Sequence, residues 1–179
     1  MQIRYHMNLQ THRIFLRPTR EEDLEQILEI EHQNARFIGV YSREKHGFIM
    51  HDQSKIHLAI FEAVSCELVG YAILAGLGDP HNAVEFRRLA ISKKGQGFGR
   101  DAIRLIKRLC FEKLGVHRLW LDVISDNFRA VKLYQSEGFK KEGLIRDCVR
   151  SGEEYRSIWV MAMLAPEYAR LELEQPVRH

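Results

Sequence analysis

The stretch Lys94-Gly95-Gln96-Gly97-Phe98-Gly99-Arg100 sets three glycines between two cations, a composition suited to holding a phosphate. Without Cβ atoms the backbone can approach a ligand closely. The unpaired N–H groups that open a helix can then point at a pyrophosphate. Lys94 and Arg100 add positive charge at the rim of such a cradle. The spacing is neither G-x-x-x-x-G-K-[ST] nor G-x-G-x-x-G, and no acidic residue stands about twenty positions on at a strand end. Nucleoside triphosphate and dinucleotide ligands are therefore disfavoured.

Such a loop works only if a strand feeds it and a helix leaves it. The β-rich run Ala83 to Ser92 precedes it. After it, Ile103, Ile106, Cys110 and Leu114 share one helical face beside Ala102, Leu105 and Leu109, and Gly115 closes the helix. His117 to Ser125 reads as the next strand, with Leu119, Leu121 and Val123 on one side. Two strands joined through a helix should be parallel, with a right-handed crossover. Asn127 can cap a following helix that ends at Gly138.

Upstream, Arg13 to Pro18 reads as a strand, and Thr19-Arg20-Glu21-Glu22 has the T-x-x-E form of a capping box before Leu24, Ile27, Leu28 and Ile30. A helix is expected around Arg43 to Met50. Ile56 to Val64 and Glu67 to Leu77 form a hairpin about Ser65-Cys66, and Leu144 to Arg150 and Tyr155 to Leu164 form another about Ser151-Gly152-Glu153. The tail beyond Pro166 should fray or form a short helix.

A chain of 179 residues, 45% hydrophobic, can bury one substantial core, so residues 1–179 are read as a single domain with its core at about 13–164. Its 27 basic and 24 acidic residues are interspersed, with no basic block to follow a nucleic-acid backbone. Residues 1–12 lack a continuous apolar run, and no segment has the length of a membrane span, so a cytoplasmic location without a membrane partner is expected. The three cysteines, Cys66, Cys110 and Cys148, show no C-x-x-C spacing and are expected to be buried or half-buried thiols. The spacing of His46, His51, His57 and His81 offers no metal motif. The acidic run Glu21, Glu22, Asp23, Glu25, Glu29 and Glu31 reads as a solvated helix face.

The order of elements, the loop from Lys94 to Gly99 and the helix Asn127-Phe128-Arg129-Ala130-Val131-Lys132-Leu133-Tyr134-Gln135-Ser136-Glu137-Gly138-Phe139 resemble the GNAT superfamily of N-acetyltransferases. The first segment is similar to that family's (Q/R)-x-x-G-x-(G/A) acetyl-CoA loop, with Lys94 in the leading place. The second is similar to its N-x-x-A-x-x-L-Y-x-x-x-G-F helix. The likeness runs over nearly all of residues 13–164. It implies an α/β fold whose mixed central sheet carries splayed parallel strands flanked by helices, with acetyl-CoA as cosubstrate.

Within the superfamily the chain looks like the branch that holds ribosomal-protein N-terminal and spermidine acetyltransferases. His51 to Ser54, Val84 to Phe86 and Gly152 to Arg156 are similar in place to segments of the spermidine enzymes. Those enzymes, however, place acids between their first two helices. Here Ala35 to Met50 carries Arg36, Arg43, Lys45 and His46 against Glu44, and like charges repel a polycation.

Acetyl transfer from a thioester to an amine needs a neutral amine, a stabilised oxyanion and a proton for the thiolate. An alkyl amine titrates near about 10.4, so a carboxylate must take its proton, directly or through water. Glu85 is the candidate, as the resemblance places a glutamate here beside the acceptor; otherwise it is a strand carboxylate paired with Arg87 or Arg88. A phenol near about 10 stays protonated beside a thiol near about 8.5, so Tyr134 can donate to the sulfur, the role of general acid that the family also implies. Ala130, Tyr134 and Gly138 share a helix face with room for a ligand. The resemblance further implies that backbone N–H groups of Leu89, Ala90 and Ile91 serve the oxyanion and pantetheine, with Asn127 on the cofactor arm. Neither Cys110 nor Cys148 has a neighbouring base or helix N-terminus to make it a nucleophile.

The expected protein is an acetyl-CoA-dependent N-acetyltransferase working by direct attack in a ternary complex. Its acceptor is expected to be a primary amine, either a small molecule or a peptide N-terminus. A spermidine or spermine acetyltransferase and a non-catalytic acyl-CoA-binding sensor are the alternatives, and a homo-oligomer is left open.

Overall fold

The computed structural model describes residues 9–174. The readings made for residues 1–8 and 175–179 lie outside the described residues. Eight strands form one sheet in the order β1-β2-β3-β4-β5-β6-β8-β7. They are β1 (Leu9–Gln10), β2 (Ile14–Pro18), β3 (Lys55–Glu62), β4 (Leu68–Ala75), β5 (Ala83–Ile91), β6 (Arg118–Ile124), β7 (Lys140–Ser151) and β8 (Glu154–Leu164). The helices are α1 (Leu24–Asn34), α2 (Arg43–His51), α3 (Phe98–Arg108), α4 (Phe128–Ser136) and α5 (Ala165–Glu174). Both hairpins and the helix of the tail stand where the sequence places them.

Burial follows each strand's place in the sheet. In β4 every residue from Val69 to Ala75 is buried, because helices cover both faces of this central strand. In β6 only Leu119, Leu121 and Val123 are buried, and they point with Leu74, Val84 and Phe86 into the core under α3. On the other face Leu24, Ile27 and Ile30 of α1 and Ile49 of α2 pack on Tyr71, Ile73 and Ala90.

Three details depart from the sequence reading. Thr19 does not cap the first helix: its hydroxyl binds His57 Nδ1 at 2.8 Å, and the Asp23 carboxylate instead receives the Arg20 N–H at 2.7 Å. After Arg108 the chain widens into a π turn, Leu109–Lys113, before Gly115 reverses it at φ +62°. Of the cysteines only Cys110 is buried; Cys66 is exposed in the β3–β4 turn and Cys148 in the irregular stretch of the outer strand β7.

Two features of β5 shape everything that follows. Its pairing with β4 slips between Arg88 and Phe86, leaving Arg87 as an extra residue, a β-bulge that bends the strand. Its parallel pairing with β6 covers only Ala83↔Arg118, Val84↔Leu119 and Glu85↔Trp120. Beyond Glu85 the two strands separate, and each pairs only with its outer neighbour, β4 or β8.

Candidate active site

The open side of this fork is an unpaired strand edge inside the molecule. The backbone of Leu89, Ala90 and Ile91 lines it, paired on the β4 side through Ala72, Tyr71 and Gly70 and without a strand partner on the other, where Asn34 Nδ2 donates to the Ile91 carbonyl at 3.4 Å. An extended ligand carrying amides can add there as a partial extra strand.

The loop from Lys94 to Gly97 turns the chain from β5 into α3. Gly95 and Gly97 take φ +88° and +85°, conformations that a residue with a Cβ adopts only under strain. Gly97 has a second constraint, since a Cβ there would lie 2.5 Å from Nη1 of Arg13. Arg13 in turn holds Asp101 through Nε and Nη2, each at 2.7 Å, and so fixes the first turn of α3 to β2. At Gly99 a Cβ would meet Leu133 Cδ2 at 3.5 Å and Ile91 Cγ1 at 3.8 Å, both ordinary contacts, and φ is not positive. The protein therefore has no internal need for glycine at 99, whereas a ligand close to the backbone does. No side chain caps α3 from Gly97, so the N–H groups of its first turn remain available to an anion. This geometry fits the pyrophosphate of acetyl-CoA. Of the rim cations, Lys94 is exposed and free of hydrogen bonds to the described residues. Arg100 is not simply a rim charge: its Nη1 is 2.6 Å from Glu137.

Glu137 is buried, and Arg104 and Lys107 join Arg100 around it. Three cations on one carboxylate tie α4 to α3 and leave net positive charge beside the cradle. Asn127 caps α4 by accepting the Ala130 N–H at 3.2 Å, as its position suggested. Tyr134, seven residues along, stands edge-on to Phe86 of β5 and to Phe139. Its hydroxyl makes no hydrogen bond to any described residue. Burial, assisted by the Asp122 charge, raises the phenol above its ordinary value, so it remains a proton donor at neutral pH.

Glu85 lies at the last paired position before the fork opens. Its carboxylate accepts Nε and Nη2 of Arg87 at 3.0 and 2.6 Å, the strand pairing already considered for it. Asp122, two residues beyond Trp120 on β6, shares this face of the sheet. Desolvation and the Glu85 charge raise its carboxyl, with Arg87 opposing. Arg13, Glu137 and Asp122 were not singled out from the sequence, and Arg87 entered there only as a pairing partner for Glu85. Glu137 alone had a signal, lying inside the second motif; Arg13 and Asp101 are separated by 88 residues, beyond any local pattern.

Arg88, next to the bulge, belongs to a different assembly. Its Nη1 is 2.6 Å from Oε1 of Glu31, which is wholly buried. Glu31 also accepts the Tyr71 hydroxyl and, at 2.7 Å, the Tyr41 N–H. His46 Nε2 lies 3.4 Å away, a long and poorly aligned contact. His46 Nδ1 and His57 Nε2 are 2.9 Å apart, and His57 Nδ1 reaches Thr19. A carboxylate at one end requires an N–H facing it. The consistent arrangement then has Thr19 O–H donating to His57, His57 Nε2–H to His46, and His46 Nε2–H facing Glu31. Glu31 and Asp23 are thus not part of a solvated acidic face, although Glu21, Glu22, Glu25 and Glu29 are exposed. His46 likewise does not belong to the cationic surface assigned to Ala35–Met50. Among the described residues no cluster of three or more His, Cys, Asp or Glu could hold a metal, and no helix is long and apolar enough to cross a membrane.

A forked sheet, an uncapped glycine-loop helix and a half-buried phenol between them are the parts of an acetyl-CoA-dependent N-acetyltransferase. Residues 13–140 match the model of the acetyltransferase (GNAT) domain, and the chain belongs to this family. It is similar to the probable N-acetyltransferase YjcK of Bacillus subtilis, 26% identical over 172 residues that cover 86% of this chain and 95% of that protein. It is also similar to the spermidine N(1)-acetyltransferase of Escherichia coli K12, 25% identical over 88% of this chain and 89% of the relative. The crystal structure of spermidine N-acetyltransferase from Vibrio cholerae with CoA and spermine shares the fold. Its TM-score is 0.80 at 24% identity, covering 89% of this chain and 99% of that one.

Proposed function

We propose that this N-acetyltransferase moves the acetyl group of acetyl-CoA to a primary amine on a small molecule or a peptide N-terminus, by direct attack with both substrates bound. The observation that carries the reading is the hydroxyl of the half-buried Tyr134, which stands beside the fork without a hydrogen-bond partner among the described residues. In this reading the edge at Leu89, Ala90 and Ile91 receives the pantetheine arm and the thioester oxygen. The backbone of Gly95, Gln96, Gly97, Phe98, Gly99 and Arg100, with Lys94, holds the pyrophosphate. Asn127 and Ala130 border the arm, Tyr134 protonates the leaving thiolate, and Glu85 flanks the incoming amine. A covalent acetyl-cysteine has no support at Cys110, whose thiol burial pushes up to about 12.

A polyamine acceptor is the second reading, favoured by the names of the relatives and by the burial of His46, which removes one charge from the repelling surface. Arg36, Arg43 and Lys45 still oppose a polycation, so a monoamine or α-amine remains the first choice. The outer strand β7, exposed along its length with Leu144, Ile145 and Val149, gives a homo-oligomer a surface to use.

The test is release of free thiol from acetyl-CoA with a panel of amino acids, amino sugars, short peptides, spermidine and spermine. A monoamine or peptide α-amine should give the highest kcat/KM. A sigmoidal spermidine curve with the highest value would promote the polyamine reading, and no release with any amine would remove both.

A further inference from the structure

At the mouth of the fork the two carboxylates are not equivalent. Glu85 and Trp120 are opposite in the parallel register, so Asp122, two residues further along β6, lies on the same face where the strands have parted. Leu121 and Val123 on either side point into the core, which fixes this orientation. Glu85 is engaged twice by Arg87, the bulge residue. Asp122 is exposed and forms no hydrogen bond or ion pair with any described residue. Facing it are Glu85 and Arg87 from β5, Tyr134 from α4 and the apolar Val160 opposite it on β8; Tyr41, from the α1–α2 connection, lies near Arg87. The fork therefore presents one neutralised carboxylate and one free one, and the free one is close enough to the phenol to act on its charge.

We propose that Asp122, rather than Glu85, receives the acceptor: it pairs with the ammonium form and takes the first proton, while the Arg87-bound Glu85 sets the local field. This rests on the acetyltransferase reading above. The steps balance as follows. One proton passes from the ammonium to Asp122, and the amine lone pair forms the C–N bond at the thioester carbon. The C–S bond then breaks, and its electron pair leaves on sulfur, which takes the Tyr134 proton. The second nitrogen proton, acidic once the C–N bond exists, restores the phenol, and Asp122 releases its proton to water. A free carboxylate suits this work better than one already engaged by a guanidinium, because its oxygens are open to the incoming ammonium.

The experiment compares Asp122→Asn and Glu85→Gln with wild type, taking kcat/KM for the best amine of the panel from pH 6.5 to 10 and acetyl-CoA affinity by calorimetry. Unchanged acetyl-CoA affinity shows that each variant has kept its fold. Asp122→Asn should lose roughly 10² in kcat/KM at pH 7, the usual scale of proton-transfer effects, and recover most of it as pH approaches the amine pKa. Glu85→Gln should lose less, and should keep the wild-type dependence on pH. Asp122→Asn activity within about threefold of wild type at pH 7 would overturn the proposal. So would a loss that stays constant with pH, since Asp122 would then only shape the fork. Wild-type turnover in the same assay judges the acetyltransferase reading separately, because Asp122 is judged on the ratio of variant to wild type.

Discussion

Arg87 and Arg88 are consecutive in β5, yet they serve regions of opposite character. Arg88 closes a buried network in which Glu31, Tyr71, His46, His57 and Thr19 meet one another and leave little polar capacity unused. Arg87 stands at the open fork, where Glu85 has one partner and Asp122 and the Tyr134 hydroxyl have none among the described residues. Buried polar groups stabilise a fold only when paired, so the first region reads as architecture. An unpaired hydroxyl and carboxylate are tolerated where a substrate will meet them, so the second reads as chemistry. The bulge between the two arginines lets one strand supply both.

The sharpest way to break this contrast is to open the closed region. Glu31→Ala would strand Arg88, Tyr71 and His46 in the core, and loss of one partner of a buried pair destabilises by about 3–5 kcal/mol. Urea unfolding should show a free energy of unfolding lower by that amount; a loss under about 1 kcal/mol would mean that water already enters the network. The open region should respond in the opposite manner. Tyr134→Phe is expected to lower kcat by roughly 10², or ~2.7 kcal/mol, with acetyl-CoA affinity and melting temperature little changed. If the melting temperature fell instead and turnover persisted, Tyr134 would belong to the core.

Acid offers a third and smaller probe. Burial, with His46 beside it, pushes the His57 imidazole from 6.5 down to about 3. Between those values the unfolded chain binds a proton that the folded one refuses, so stability must fall as pH falls through that window. From pH 7 to pH 5 the loss should be about 2 kcal/mol at 1.36 kcal/mol per unit. Burial alone would raise the Glu31 carboxyl, but His46, the Tyr71 hydroxyl, the Tyr41 N–H and the Arg88 charge hold it below the ordinary range. Its contribution is present above its unfolded value and fades as pH drops below that value, which steepens the same acid limb. Denaturation midpoints at pH 7, 6 and 5 would measure this slope, and a His57→Gln variant should flatten it. A flat wild-type profile would show that the His57 imidazole is not held neutral.

The fork side was legible before any coordinates, whereas the closed side was not. The glycine loop, the Asn127 cap and Tyr134 lie within two short segments whose chemistry depends on local spacing, and local spacing survives in a linear chain. The capping box at Thr19 failed because a hydroxyl that suits a helix N-terminus suits a buried imidazole equally well, and His57 lies 38 residues away. Glu31 sat in a run of acids and read as solvated. Only the packing of α1 on β4 and β5 reveals that Tyr71 and Arg88 meet it.

Residue order and periodicity were enough for most of the strand and helix sequence, the parallel crossover, the glycine turn into α3 and the Asn127 cap. Each depends on backbone conformation or on contacts within one turn of a helix. The bulge at Arg87, the residue at which β5 parts from β6, the dependence of Gly97 on Arg13, and the division between a neutralised Glu85 and a free Asp122 came only with the folded molecule. Those features are decided by which strands run out of partners and which charges are brought together across 30 residues or more, as between Arg100 and Glu137. Such pairings depend on the geometry of the whole sheet, and no local pattern encodes it.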